Sequence, residues 1–160
     1  MRVGIVAIGR MKQGPERELV ARYLERAIGV GKSLGLTSFA VSEINESRAA
    51  SAAARKTEEA KAIAAQLPDS SLVVALDERG KTLGSDDFAR RIGRWRDDGK
   101  AALNFVIGGA DGLDPAFVGK ADLMLSFSPL TWPHQLVRIM LCEQLYRATT
   151  ILSGHPYHRE

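Results

Sequence analysis

Three stretches of the chain, SSLVVALDERGK (70–81), ALNFVIGGADG (102–112) and DLMLSFSPLT (122–131), contain almost unbroken apolar runs. A strand with one wet face alternates apolar and polar residues, whereas a strand covered on both faces does not. Such runs separated by helical patterns leave few solutions, because parallel neighbours need a crossover, normally a helix lying on the sheet. The chain is therefore read as α/β, a parallel sheet with helices on both faces. RVGIVAIG (2–9) and TSFAVSEI (37–44) supply two more strands. The helical patterns are PERELVARYLERAIG (15–29), with proline in its first turn, and the alanine-rich ESRAASAAARKTEEAKAIAAQL (46–67), followed by SDDFARRIGRWRDD (85–98), with Ser85 as expected N-cap, and a short DPAFVGKA (114–121). With 160 residues and no internal repeat or linker-like stretch, the sequence reads as one domain, 1–160.

The last helix is unusual. In TWPHQLVRIMLCEQLYRA (131–148), Leu136, Val137, Met140, Leu141, Leu145 and Ala148 recur at helical spacing, and Ile139, Cys142 and Tyr146 add apolar surface on another side. A helix apolar around so much of its circumference is expected to be buried, yet it opens with proline and His134. Glu143 and Arg147, four residues apart, form its polar seam. Cys142 is the single cysteine and is read as a small core residue, so no disulfide framework exists and a reduced, cytoplasmic setting is expected. The first apolar run breaks at Gly9, far too short to span a bilayer, so no membrane association is expected. The formal charge of +3 is compatible with an anionic partner such as RNA without requiring one.

Several motifs compete for a functional reading. GVGKS (29–33) ends like a phosphate-binding loop, but Arg26 stands where that loop needs glycine, and a helix precedes it where a strand is required. GGADG (108–112) follows a strand directly, where an open parallel sheet binds ligands, although it is not a dinucleotide fingerprint. LDERGK (76–81) and SFSPLT (126–131) leave neighbouring strands at the same edge, so the three loops together predict one composite pocket. All three histidines, His134, His155 and His158, fall in the last part of the sequence. His155 and His158 have metal-like spacing, but no cysteine or carboxylate cluster accompanies them, and no metal site is expected. GHPYHRE (154–160) carries an aromatic ring, two imidazoles and a guanidinium, groups suited to stacking on bases and contacting phosphates. Arg90, Arg91, Arg94, Arg96 and Lys100 surround Trp95, but Asp86, Asp87, Asp97 and Asp98 bracket them, which fits a solvated face as well as RNA contact.

LDERGK, SDDFA, FVIGGADGL, LSFSPLTWPHQLVRIMLCEQLYRA and GHPYHRE, in this order and spacing and with IVAIGRMK at the start, closely resemble the bacterial large-subunit rRNA pseudouridine methyltransferases of the SPOUT superfamily. The resemblance runs over the whole chain, while 29–36 and 45–57 carry no family motif. It implies a C-terminal deep trefoil knot, a rare exception to unknotted topology, with knot and cofactor site within about 76–150 and a substrate or partner-subunit element at 151–160. It also implies S-adenosylmethionine held by Leu76, by Gly108 and Gly109, and by Phe127, Ser128, Pro129, Leu130, Thr131 and Trp132.

The implied reaction is methylation of N3 of one pseudouridine in 23S rRNA on the assembled ribosome, by a homodimer in which the partner's tail completes each site. His134, Tyr157 and His158 are then candidates to position the base or relay its proton, and Arg138 and Arg159 to contact phosphate or stabilise the developing anion. Two other readings stand beside this one: a knotted methyltransferase with a different RNA target, and a non-catalytic ribosome-binding factor. The second leaves the glycine loops unexplained.

Overall fold

The computed structural model describes residues 1–159; Glu160 lies outside the described residues. In chain order the elements are β1 (Arg2–Ile8), α1 (Pro15–Gly31), a 3₁₀ turn (Lys32–Leu34), β2 (Ser38–Ile44), α2 (Ala52–Ala64), β3 (Leu72–Thr82), α3 (Ser85–Asp97), β4 (Ala102–Ile107), α4 (Pro115–Val118), β5 (Leu123–Ser126) and α5 (His134–Ser153). The five strands form one sheet in the order β2-β1-β4-β3-β5, and every pairing is parallel.

β4 explains why apolar runs encode this sheet. All its residues are buried. Leu103, Phe105 and Ile107 join the larger core with Val20 and Ala27 of α1, Phe88 and Ile92 of α3, and Leu141 and Leu145 of α5. Val106 points the other way, into a smaller core with Ile63 of α2, Ile8 and Leu113. With two apolar faces to fill, polar alternation would bury unpaired groups. α5 packs against both α1 and α3, so its wide apolar circumference is largely covered within one chain, and Cys142 is buried there as core.

The structure redraws several expected boundaries. α2 begins at Ala52 rather than 46, because Ser51 caps it by accepting from the Ala54 amide at 3.1 Å, while the Ser47 amide bonds Glu59 at 2.9 Å and holds the preceding segment out of helix. Ser85 is not an N-cap: Gly84 takes that position, and the Ser85 hydroxyl bonds Gln144 of α5 at 2.9 Å. LDERGK is not a terminal turn but a bulge inside β3. Leu76 pairs with Leu125, the register then slips, and Lys81 and Thr82 pair again with Leu125 and Ser126. α5 runs on to Ser153 and stops at Gly154, whose φ of 70° is left-handed. No described helix is long and apolar enough to cross a membrane.

One polar group ties α5 to the far strands. Arg138 is 1% exposed, its guanidinium paired with the Glu43 carboxylate at the end of β2 and donating to the Gly9 carbonyl at 2.9 Å. Glu43 also accepts the Met11 amide at 2.9 Å. Burial pushes the Glu43 carboxyl up, but the Met11 amide and Arg138 outweigh it and hold the group below the ordinary range.

Glu43→Ala strands a buried cation and should cost about 3 kcal/mol or more in urea unfolding. Arg138→Met leaves only Glu43, which is partly exposed and can rehydrate, and should cost less, about 1–2 kcal/mol. A lowered carboxyl stabilises the fold above its unfolded value and stops doing so as pH falls through the folded value. The difference between wild type and Glu43→Ala should therefore shrink below about pH 4.3.

Candidate active site

The carboxyl ends of β3, β4 and β5 finish side by side, with Leu76 opposite both Ile107 and Leu125. A cleft of about 490 Å³ opens above them, floored by these three residues with Leu113 and Val137. Its first wall is the β3 bulge, Asp77, Glu78 and Arg79. Here Gly80 passes so close to β5 that a Cβ on it would lie 2.6 Å from the Leu125 carbonyl carbon and 2.8 Å from the Leu125 nitrogen. The second wall is the glycine turn after β4, closed by the Gly112 amide bonding the Gly109 carbonyl at 3.0 Å, with Gly112 at φ 80°. The third is Phe127–Trp132, a loop shaped by its serines: the Ser126 hydroxyl accepts the Ser128 amide at 3.1 Å, and the Ser128 hydroxyl accepts the Leu130 amide at 3.0 Å.

The walls are tied to one another and to the scaffold. Thr131 donates to Glu78 at 2.9 Å, joining the third wall to the first. Arg55 of α2 grips Asp111 of the glycine turn through two bonds, 2.6 and 3.0 Å, and donates to the Ala49 carbonyl at 3.0 Å. Hydrogen bonding from Arg79 holds Asp77 below the usual carboxylate range, and Arg55 does the same for Asp111, each against the opposing effect of burial. Both are anionic at neutral pH. Lys56 lines the cleft, close enough to lower both carboxyls further.

Leu76, Gly108, Gly109, Phe127, Ser128, Leu130, Thr131 and Trp132 all line this cleft; Pro129 is exposed in the same loop, off the lining. His134 stands at its mouth in the first turn of α5, with Nε2 3.2 Å from where a Cβ on Gly9 would be. Arg138 is placed differently from a phosphate contact. Its guanidinium faces inward to Glu43 and Gly9, so an anion would have to displace Glu43 to reach it. Tyr157, His158 and Arg159 do not line the cleft of their own chain; Tyr157 and His158 pack beside the C-terminal half of α5.

LDERGK was expected at the pocket as a loop, but Lys56, which lines it, and Arg55, which holds its glycine turn, are residues that sequence reasoning missed. Asp111 inside GGADG was the available signal, since a carboxylate in a tight turn calls for a cation, but its partner lies 56 residues away.

A family model described as "Predicted SPOUT methyltransferase" matches residues 1–158. The chain belongs to the SPOUT methyltransferase family. The SPOUT chain is 60% identical over 159 residues to a Bradyrhizobium diazoefficiens protein named ribosomal RNA large subunit methyltransferase H, covering 99% of each chain. An equally named Allorhizobium ampelinum protein is also 60% identical, with 99% of each chain covered. A solved structure titled as a probable methyltransferase from Bordetella pertussis Tohama I aligns over 92% of the SPOUT chain and 95% of its own, with 16% identity and a TM-score of 0.48.

Gly80→Ala puts a methyl group into β5 backbone that cannot swing aside, so this substitution should destabilise the protein by about 2–3 kcal/mol in urea unfolding. It should also weaken ligand binding in the cleft at temperatures where the variant is still folded, as titration calorimetry with S-adenosylmethionine would measure.

Proposed function

We propose that this methyltransferase uses S-adenosylmethionine to methylate large-subunit ribosomal RNA, its target being N3 of one pseudouridine in 23S rRNA on the assembled ribosome. The observation that carries the cofactor reading is the three-walled cleft at the carboxyl ends of β3, β4 and β5. Its volume is in the range of small-ligand sites, its floor is apolar enough to take a purine, and Asp77, Glu78 and Asp111 surround it with acceptors for ribose, Glu78 being the one of the three not held in an ion pair among the described residues and so the carboxylate placed to face a sulfonium. The names of the full-length relatives support the RNA target.

When bound, S-adenosylmethionine supplies an electrophilic methyl group. The protein's part is alignment and removal of the N3 imide proton as the N–CH₃ bond forms. His134, at the cleft mouth, is the imidazole in place to hold the base or accept that proton. Arg138 then acts at one remove, fixing the first turn of α5 on which His134 stands. His158 docks on Arg147, and His134 and Arg147 lie at opposite ends of a helical span of about 20 Å at 1.5 Å per residue. That separation supports a homodimer in which each tail serves the other chain's cleft.

In this reading residues 1–160 are one domain of a cytoplasmic enzyme, with cofactor site and trefoil knot within about 76–150.

Titration calorimetry should find S-adenosylmethionine binding, and labelled methyl transfer should occur to ribosomes that carry the pseudouridine but not to ribosomes that lack it. Transfer to both would redirect the target assignment, and absence of cofactor binding would overturn the enzyme reading. Removing residues 155–160 should abolish methylation while leaving cofactor affinity within about twofold; undiminished activity of the truncated protein would sink the tail's role.

A further inference from the structure

The C-terminal segment is not loose. Gly154, left-handed at φ 70°, ends α5, and the His155 amide bonds back to the Thr150 carbonyl at 2.9 Å, turning the chain onto the helix it has just left. The Tyr157 ring then packs on Tyr146 with centroids 4.6 Å apart, and the Arg147 guanidinium lies 4.9 Å from the Tyr157 centroid. The Tyr157 hydroxyl donates to Glu143 Oε1 at 3.0 Å. Glu143 also receives Arg147, and Gln144 at 2.8 Å, so one half-buried carboxylate gathers three donor side chains. His158 is caught between the two helices, Nδ1 3.2 Å from Arg147 Nη1 and Nε2 3.4 Å from Asp86 at the start of α3.

We propose that Glu143 and Arg147 are positioning residues that latch the tail through Tyr157, and that Tyr157 serves as the latch's anchor rather than as a proton carrier. The part of the proposal that concerns catalysis rests on the substrate-side role of the tail proposed above. A tail of a few residues free in solution would sample many conformers, and fixing each residue costs backbone entropy. The latch removes most of that cost before substrate arrives, so that His158 and Arg159 are presented in one place. The phenol's surroundings agree with an anchor: burial, and then the Glu143 hydrogen bond, push it up to about 12, so it stays protonated throughout the working range.

Tyr157→Phe keeps the ring stack and loses only the bond to Glu143. Glu143→Gln keeps the shape and weakens the grip on both Arg147 and Tyr157. Each should lower kcat for ribosome methylation by about tenfold, with S-adenosylmethionine affinity within twofold of wild type. An anchor predicts that the ratio of wild-type to Tyr157→Phe kcat is constant from pH 6 to 9; a proton carrier predicts that one limb of the profile disappears, which would overturn the proposal.

Tail order is read separately by carboxypeptidase release of the C-terminal residues and by amide exchange at 155 and 157–159, both of which should be faster in the two variants. Unchanged protection would also overturn the latch. If removal of 155–160 leaves activity intact, the tail's catalytic role fails while the protection experiment still decides the latch. If truncation abolishes activity but both substitutions leave kcat within twofold, the latch fails alone. Should Glu143→Gln not fold, Tyr157→Phe, on a surface segment, carries the test.

Discussion

A guanidinium sealed from water under the first turn of α5 sets the geometry of everything around it. Arg138 reaches across from the last helix to the ends of the first two strands, and it cannot leave Glu43 without exposing a bare charge to a low-dielectric interior. The pair is therefore a constraint on position more than a source of stability. It fixes the register of α5 against β1 and β2, and through Gly9 it fixes the backing of His134. With the start of α5 pinned, the loop that leads into it, Phe127–Trp132, has both ends anchored: one in β5, the other in a helix that cannot slide.

The cleft extends the same logic. Its walls are irregular backbone, and irregular backbone holds a shape only if its polar groups are engaged. Serine hydroxyls satisfy the third wall, a cross-bond to Glu78 couples it to the first, and a two-pronged arginine from α2 holds the second. The carboxylates near the cleft are therefore partly neutralised in pairs. Asp77 with Arg79 and Asp111 with Arg55 offer acceptors without gathering enough net negative charge to repel an RNA backbone.

Much of this was legible in the sequence, for identifiable reasons. Apolar runs such as LNFVI have no other comfortable place than a doubly covered strand, and the three loops leaving such strands had to share an edge. The resemblance to known family members then marked the positions that line the cleft. What could not be read were interactions between residues distant in sequence. Nothing near Arg138 announces Glu43, so an arginine one helical turn from a histidine resembled an anion contact when it is a buried tether. Asp111 gave no hint of Arg55. LDERGK looked like a turn because its polarity is that of a turn; only the second pairing of Lys81 and Thr82 with β5 shows the strand continuing beyond it. Ser85 had the chemistry of a cap and was drawn instead to Gln144 across the helix interface.

The strand order has a consequence for how the molecule is made. β1 is synthesised before the other four strands of the sheet, and it lies between β2 and β4. β2 follows soon after, but β4 ends only at Ile107, so one edge of β1 stays without its partner until about a hundred further residues have been made. Closure waits longer still, since the arginine that clasps the turn after β1 arrives with α5. Contacts this distant make sheet assembly slow by nature. Through most of its synthesis, then, an apolar strand with an open edge has to be kept from pairing elsewhere, and the charged residues that flank its apolar run, Arg2 before it and Arg10 and Lys12 after it, are the nearest guard the nascent chain carries.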